Sequence, residues 1–114
     1  LICNDVWAFP RMSPNGNPYF YRQISEAGAK VVFVSVNCCT DEFDETVYNF
    51  HESHLRTLSK HFNIHTVVSS ACTDMKGNEY NGKIQCPSGI IDPHGEWIKK
   101  CKDTGMDSVS VEIL

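Results

Sequence analysis

Cys3 is the residue on which chemistry is most readily built. It follows the apolar pair Leu1-Ile2 and precedes Asn4-Asp5, the order of a strand that ends where a loop begins. A catalytic thiol has to be accessible and partly ionised. It also needs a base to take its proton and N–H donors to hold the oxyanion of the tetrahedral intermediate. Backbone N–H groups in the turn after Cys3 are placed to supply part of that oxyanion hole. On position alone, a single cysteine at a strand end is packing by default. The other cysteines, Cys38, Cys39, Cys72, Cys86 and Cys101, contain no Cys-x-x-Cys pair, which argues against a zinc ribbon and a thioredoxin-type centre. Adjacent Cys38 and Cys39 are poorly disposed to bond each other. These five thiols are expected to be reduced and packed, as in a cytoplasmic protein.

The histidines invite a metal reading, because His51/His54 and His61/His65 have the i,i+3 and i,i+4 spacings of helical ligands. No carboxylate or cysteine completes a set, and His65 falls on a predicted strand, so no metal is expected. His51 and His54 are expected instead on a half-buried helix face at a subunit contact. Trp7 and Phe9 are candidate walls of a substrate pocket. Asn37, at the end of an apolar run, is a candidate substrate contact.

These residues need elements to position them. The spacing predicts a helix over 17–27, with Asn17 as N-cap, Pro18 at the first position and Gly28 at the C-terminal end. Phe20, Ile24 and Ala27 would form its apolar face. Val31–Val36 reads VVFVSV, the pattern of a strand buried on both faces, as in a parallel sheet. A strand–helix–strand unit with a right-handed crossover follows. Sites in such sheets gather at the carboxyl ends of strands, so Cys3-Asn4-Asp5 and Asn37-Cys38-Cys39 are expected at one sheet edge. A second helix is predicted over 46–62, with Val47, Phe50, Leu55, Leu58 and Phe62 on one arc. A strand over 65–71, a hairpin over 88–100 with the turn Asp92-Pro93-His94-Gly95, and an alternating last strand over 108–113 complete the chain. The fold class is α/β.

Composition bounds the partners. The 114 residues carry a formal net charge of −4, which argues against a nucleic-acid module built on a basic face. No apolar run approaches the roughly 18 residues of a membrane span. Neither nucleic acid nor membrane is an expected partner.

Several stretches, taken in order, resemble one family. Ile2-Cys3-Asn4-Asp5-Val6-Trp7-Ala8-Phe9-Pro10 is similar to the nucleophile motif of the carbon–nitrogen hydrolase (nitrilase) superfamily: an apolar strand, Cys, any residue, an acid, and Phe-Pro shortly afterwards. Tyr21-Arg22 through Ala27-Gly28-Ala29 resembles the family's Tyr-Arg…Gly-Ala helix end, and Val31–Val36 the strand after it. His54-Leu55-Arg56 resembles the start of the next helix. Ser88-Gly89-Ile90-Ile91-Asp92-Pro93 followed by Gly95 resembles a hairpin of the family. The resemblance covers nearly the whole chain. It implies an αββα sandwich in the complete protein, with residues 1–114 as about half of it, the C-terminal part of the domain. It further implies hydrolysis of an amide, carbamoyl compound or nitrile through a thioester on Cys3, with the Asn4 backbone N–H as an oxyanion donor and Asp5 orienting the loop. No cofactor is implied, and the complete protein is expected to be a homo-oligomer.

The sequence also departs from the family pattern. The family's Glu base and Lys lie upstream of the Cys, and this chain begins two residues before it. Glu26, Glu45 and Glu52 fall at the wrong places to replace the base. Leu58-Ser59-Lys60-His61-Phe62 stands where the family has Arg-Ala-x-Glu-Asn, and Asn4 and Trp7 stand where Tyr and Arg are common. The fragment alone is therefore expected to be inactive. Two alternatives stand beside the hydrolase. One is a non-catalytic assembly module keeping half of the fold. The other is the glutamine-amidase domain of a larger synthetase.

Overall fold

The computed structural model describes residues 1–6, 20–37, 39–40, 50–71, 83–84, 86–102 and 105–113. In chain order they form a 3₁₀ turn (Cys3–Val6), α1 (Phe20–Glu26), β1 (Val31–Val36), β2 (Cys39–Thr40), α2 (Phe50–Phe62), β3 (His65–Ser70), β4 (Lys83–Ile84), β5 (Gly89–Ile91) and β6 (Trp97–Lys100). The main sheet has the order β1-β3-β5-β6, and β2 pairs with β4 in a separate ribbon that the sequence pattern did not announce. β1 runs parallel to β3, from Val31 opposite His65 to Val36 opposite Ser70. β5 is antiparallel to both β3 and β6. Ahead of β1, Ile2 makes a parallel bridge to Ser35, and the Ser35 N–H donates to the Leu1 carbonyl at 3.0 Å. The expected strand–helix–strand unit is thus present, although its first strand amounts to a single bridge before the chain turns at Cys3.

Both helices pack on one face of the sheet. The core joins Val32, Val34, Val36, Val68 and Ile91 from the strands to Tyr21, Leu55 and Ile64 above them. The buried residue of α1 is Tyr21, while Phe20 is half-buried and Ala27 exposed. The reason is the phenol: its ring is apolar, and its hydroxyl meets the Thr66 hydroxyl at 2.9 Å, so it enters the core fully satisfied. Thr66 in turn meets the Ser59 hydroxyl at 2.6 Å, which explains why Ser59 occupies a buried position on α2. Gly28 ends α1 at φ +87°, the left-handed conformation that glycine adopts without cost. At the β5–β6 turn the Asp92 carboxylate accepts the backbone N–H groups of His94 and Glu96. Gly95 there, at φ +80°, leaves no room for a Cβ, which would stand 2.7 Å from the Arg56 carbonyl. The Arg56 Nε–H donates to the Gly95 carbonyl at 2.6 Å, tying the turn to α2.

The other face departs from expectation. Val31–Val36 was expected to be buried on both faces, yet burial alternates: Val32, Val34 and Val36 are enclosed, and Phe33 is 69% exposed. The helices supply one layer only. By register, Phe33, Val67 and Ile90 share the open face, and among the described residues only its β5 end is covered. The cover is the segment expected as a last strand. Residues 108–113 form no strand; the Ser110 carbonyl accepts from the Lys99 ammonium at 2.8 Å. Val109 and Val111 are half-buried between exposed Ser108, Ser110 and Glu112. The alternation in sequence therefore reports packing onto a sheet face, without ladder pairing.

Candidate functional site

Cys3 opens the 3₁₀ turn, directly after the bridge at Ile2. The turn's own first hydrogen bond runs from the Asp5 N–H to the Ile2 carbonyl at 2.9 Å. The Asn4 N–H therefore stands in the first turn, where a helix has no carbonyl of its own to offer it. The Asp5 carboxylate reaches back to the Ile2 N–H at 2.9 Å, the reciprocal half of a capping box. This bond ties the Asp5 side chain to the backbone at the start of the turn. Val6 closes the turn in the core at 4% exposure.

Because the Leu1-Ile2 segment, β1 and β3 are parallel, their carboxyl ends meet one edge of the sheet. Cys3, Asn37 and Ala71 follow those ends, and Asn37 is exposed there. The expectation that the Cys3 and Asn37 segments share an edge follows from this register. Trp7, Phe9 and Cys38 lie outside the described residues. Farther along the edge, a cleft of about 290 Å³ is lined by Ser70, Ala71, Ser88, Cys101, Lys102 and Asp107 among others. The Ser70 N–H donates to the Ser88 hydroxyl at 2.8 Å. The Asp107 carboxylate accepts from the Lys102 and Ser108 N–H groups, which hold its pKa below the usual carboxylate range. Burial, with Asp107 nearby, pushes the Cys101 thiol up, so Cys101 is a protonated bystander. Cys86 is buried, its thiol donating to the Pro87 carbonyl at 3.6 Å. The cleft was not foreseen from the sequence.

The histidines separate into different roles. His51 is fully buried within the chain, which replaces the subunit-contact expectation for that residue: the helix turns it into this chain's own core. Burial first, and His54 second, lower its pKa from 6.5 to about 4, so it is neutral at pH 7. His54 is half-buried, and its Nε2 lies 2.5 Å from the Val6 carbonyl. Burial lowers its pKa and the Val6 bond raises it, burial being the larger effect. His61 is exposed and packs edge-on against Phe62. Among the described residues no group of three or more His, Cys, Asp or Glu side chains converges on a metal position. No helix among them is long and apolar enough to cross a membrane.

One helix layer on one mixed sheet is an arrangement found in the nitrilase fold. The chain has that fold in part, spanning about a third of the length of the solved structures it matches. One is Nit3 of Saccharomyces cerevisiae, a nitrilase-superfamily member, at 15% identity and a TM-score of 0.62, covering 92% of this chain and 33% of that one. Another is a carbon–nitrogen hydrolase from Helicobacter pylori G27, at 16% identity and a TM-score of 0.61, covering 93% and 36%. A third is a mutant amidase from Nesterenkonia sp. AN1, at 22% identity and a TM-score of 0.59, covering 91% and 33%; it shows covalent addition of the acetamide moiety of fluoroacetamide at its active-site cysteine. The same amidase has been solved in complex with butyramide. No family model and no curated protein matches the chain.

Proposed function

We propose that residues 1–114 are the C-terminal part of a carbon–nitrogen hydrolase that cleaves an amide, carbamoyl compound or nitrile with Cys3 as nucleophile. The observation that carries this reading is the position of Cys3: it opens a capped turn at the carboxyl end of a segment parallel to β1, in a chain with part of the nitrilase fold. For an amide, the Cys3 sulfur bonds to the carbonyl carbon while a base takes the thiol proton. The oxyanion is held by the Asn4 N–H. The C–N bond then breaks, the amine leaves with a proton, and water hydrolyses the thioester to acid and free thiol. The base and a lysine come from outside these residues, as in the family. Trp7, Phe9 and Asn37 border the substrate. The chemistry asks for no cofactor. A thiol nucleophile suits the reducing cytoplasm, and the complete protein works as a homo-oligomer.

The test uses the complete polypeptide and fluoroacetamide. The Cys3 thiolate displaces fluoride, and a new C–S bond holds the acetamide group. Mass spectrometry should place the adduct on Cys3, and Cys3→Ala should abolish both adduct and amide hydrolysis. An adduct on another cysteine, with Cys3→Ala still hydrolysing, overturns the assignment. The isolated 114 residues should show no turnover.

A further inference from the structure

A four-residue 3₁₀ turn ends with carbonyls that have no partner inside it. In the turn that carries Cys3, the last of these is the Val6 carbonyl, and His54 lies 2.5 Å from it. A carbonyl only accepts, so Nε2 of His54 carries the proton and donates it. The donor sits on a stiff support. Leu55, the next residue, is fully buried; Ser59 one turn on bonds Thr66 of β3; and Arg56 is bound to Gly95 in the β5–β6 turn. Before His54, the Trp97 indole N–H of β6 donates to the Glu52 carboxylate at 2.6 Å, so α2 is fixed to the sheet on both sides of His54. The other end of the turn is fixed to β1 by the Leu1–Ser35 bond and the Ile2–Ser35 bridge. Cys3 and Asn4 lie between the two anchors.

From this geometry we infer that His54 is a positioning residue: its bond to the Val6 carbonyl sets the orientation of the turn that presents Cys3 and the Asn4 N–H to substrate. The inference rests on Cys3 being the nucleophile. It assigns His54 no proton transfer to substrate; it acts through the backbone of Val6. A donor and acceptor held at a fixed separation matter to rate because misplacement by about 1 Å costs up to roughly a hundredfold in the chemical step.

The experiment compares His54→Gln with His54→Leu in the complete polypeptide, since the two side chains are similar in size and only glutamine donates a hydrogen bond. Alkylation of Cys3 by fluoroacetamide is followed by mass spectrometry, separating the maximal rate from the half-saturating concentration. His54→Leu should lower the maximal rate by about tenfold or more and leave half-saturation within about threefold; His54→Gln should recover most of the rate. A structural role alone would lower thermal stability in both variants without that split or rescue. Wild-type rates in His54→Leu, or equal losses in both variants, overturn the positioning role while Cys3 remains labelled. If the wild-type label is not on Cys3, it is the nucleophile assignment that falls.

Discussion

Acidification should destabilise this fold through His51. The side chain is fully enclosed, and its pKa is lowered from 6.5 to about 4 by burial and by the neighbouring His54. A group with a depressed folded pKa binds its proton more readily in the unfolded chain. Stability is therefore intact at pH 7, falls as pH drops through about 6.5, and stops falling from this cause below about pH 4. At about 1.4 kcal/mol per pH unit the full loss would be somewhat over 3 kcal/mol, and local relaxation around the imidazolium reduces it to about 2 kcal/mol. His54, whose pKa is also lowered, adds to it with the same sign. The assay is urea denaturation of wild type and His51→Gln across this pH range. Glutamine does not titrate, so the variant starts less stable at pH 7 and loses less on acidification, the two curves converging by about 2 kcal/mol. Curves that stay parallel down to pH 4 would refute the reasoning.

Leu55→Ala should cost about 2–5 kcal/mol by chemical denaturation, because the side chain is wholly buried and the site is braced by the Ser59–Thr66 bond, which limits collapse into the cavity. Tyr21→Phe should cost about 1–2 kcal/mol in the same assay, since it removes one partner from the buried hydroxyl chain and leaves Thr66 with Ser59 alone. Phe33→Ser should weaken self-association of the isolated chain in sedimentation velocity, because it removes the largest apolar side chain among the described residues of the open sheet face.

Strands β1 and β3, the hairpin and the helix end at Gly28 were legible because local pattern decides them: β-branched runs, the Asp-Pro-x-Gly turn, and glycine where φ is positive. What tertiary context decides was not. VVFVSV reads the same whether one face or two are covered, and here the second face of β1 is open. Phe20 and Tyr21 are equally plausible core residues until Thr66 supplies a hydroxyl for one of them. Ser59 looks like surface until the same chain reaches it. Residues 108–113 alternate like a strand because they lie on one. At the candidate site, the placement of Cys3 and Asn37 at one sheet edge was legible from the apolar runs that precede them, whereas the role proposed for Cys3 came from the family resemblance and not from its position. His54 was visible only as a helix-face histidine, because its acceptor is a backbone carbonyl 48 residues away, and a carbonyl leaves no mark in sequence.

That separation governs when the site comes into being. The β5–β6 hairpin closes over a short turn, and hairpins of this kind form in about 1–10 μs. Seating the Cys3 turn requires closing far longer loops, to Ser35 and to His54, at an entropic cost that grows with their length. The order is open to pulse alkylation during refolding, where native Cys3 reactivity before hairpin protection would contradict it. If Cys3 is the nucleophile proposed above, a nascent or partly folded chain holds an ordinary cysteine in this order, and its reactivity arrives only with the finished tertiary structure.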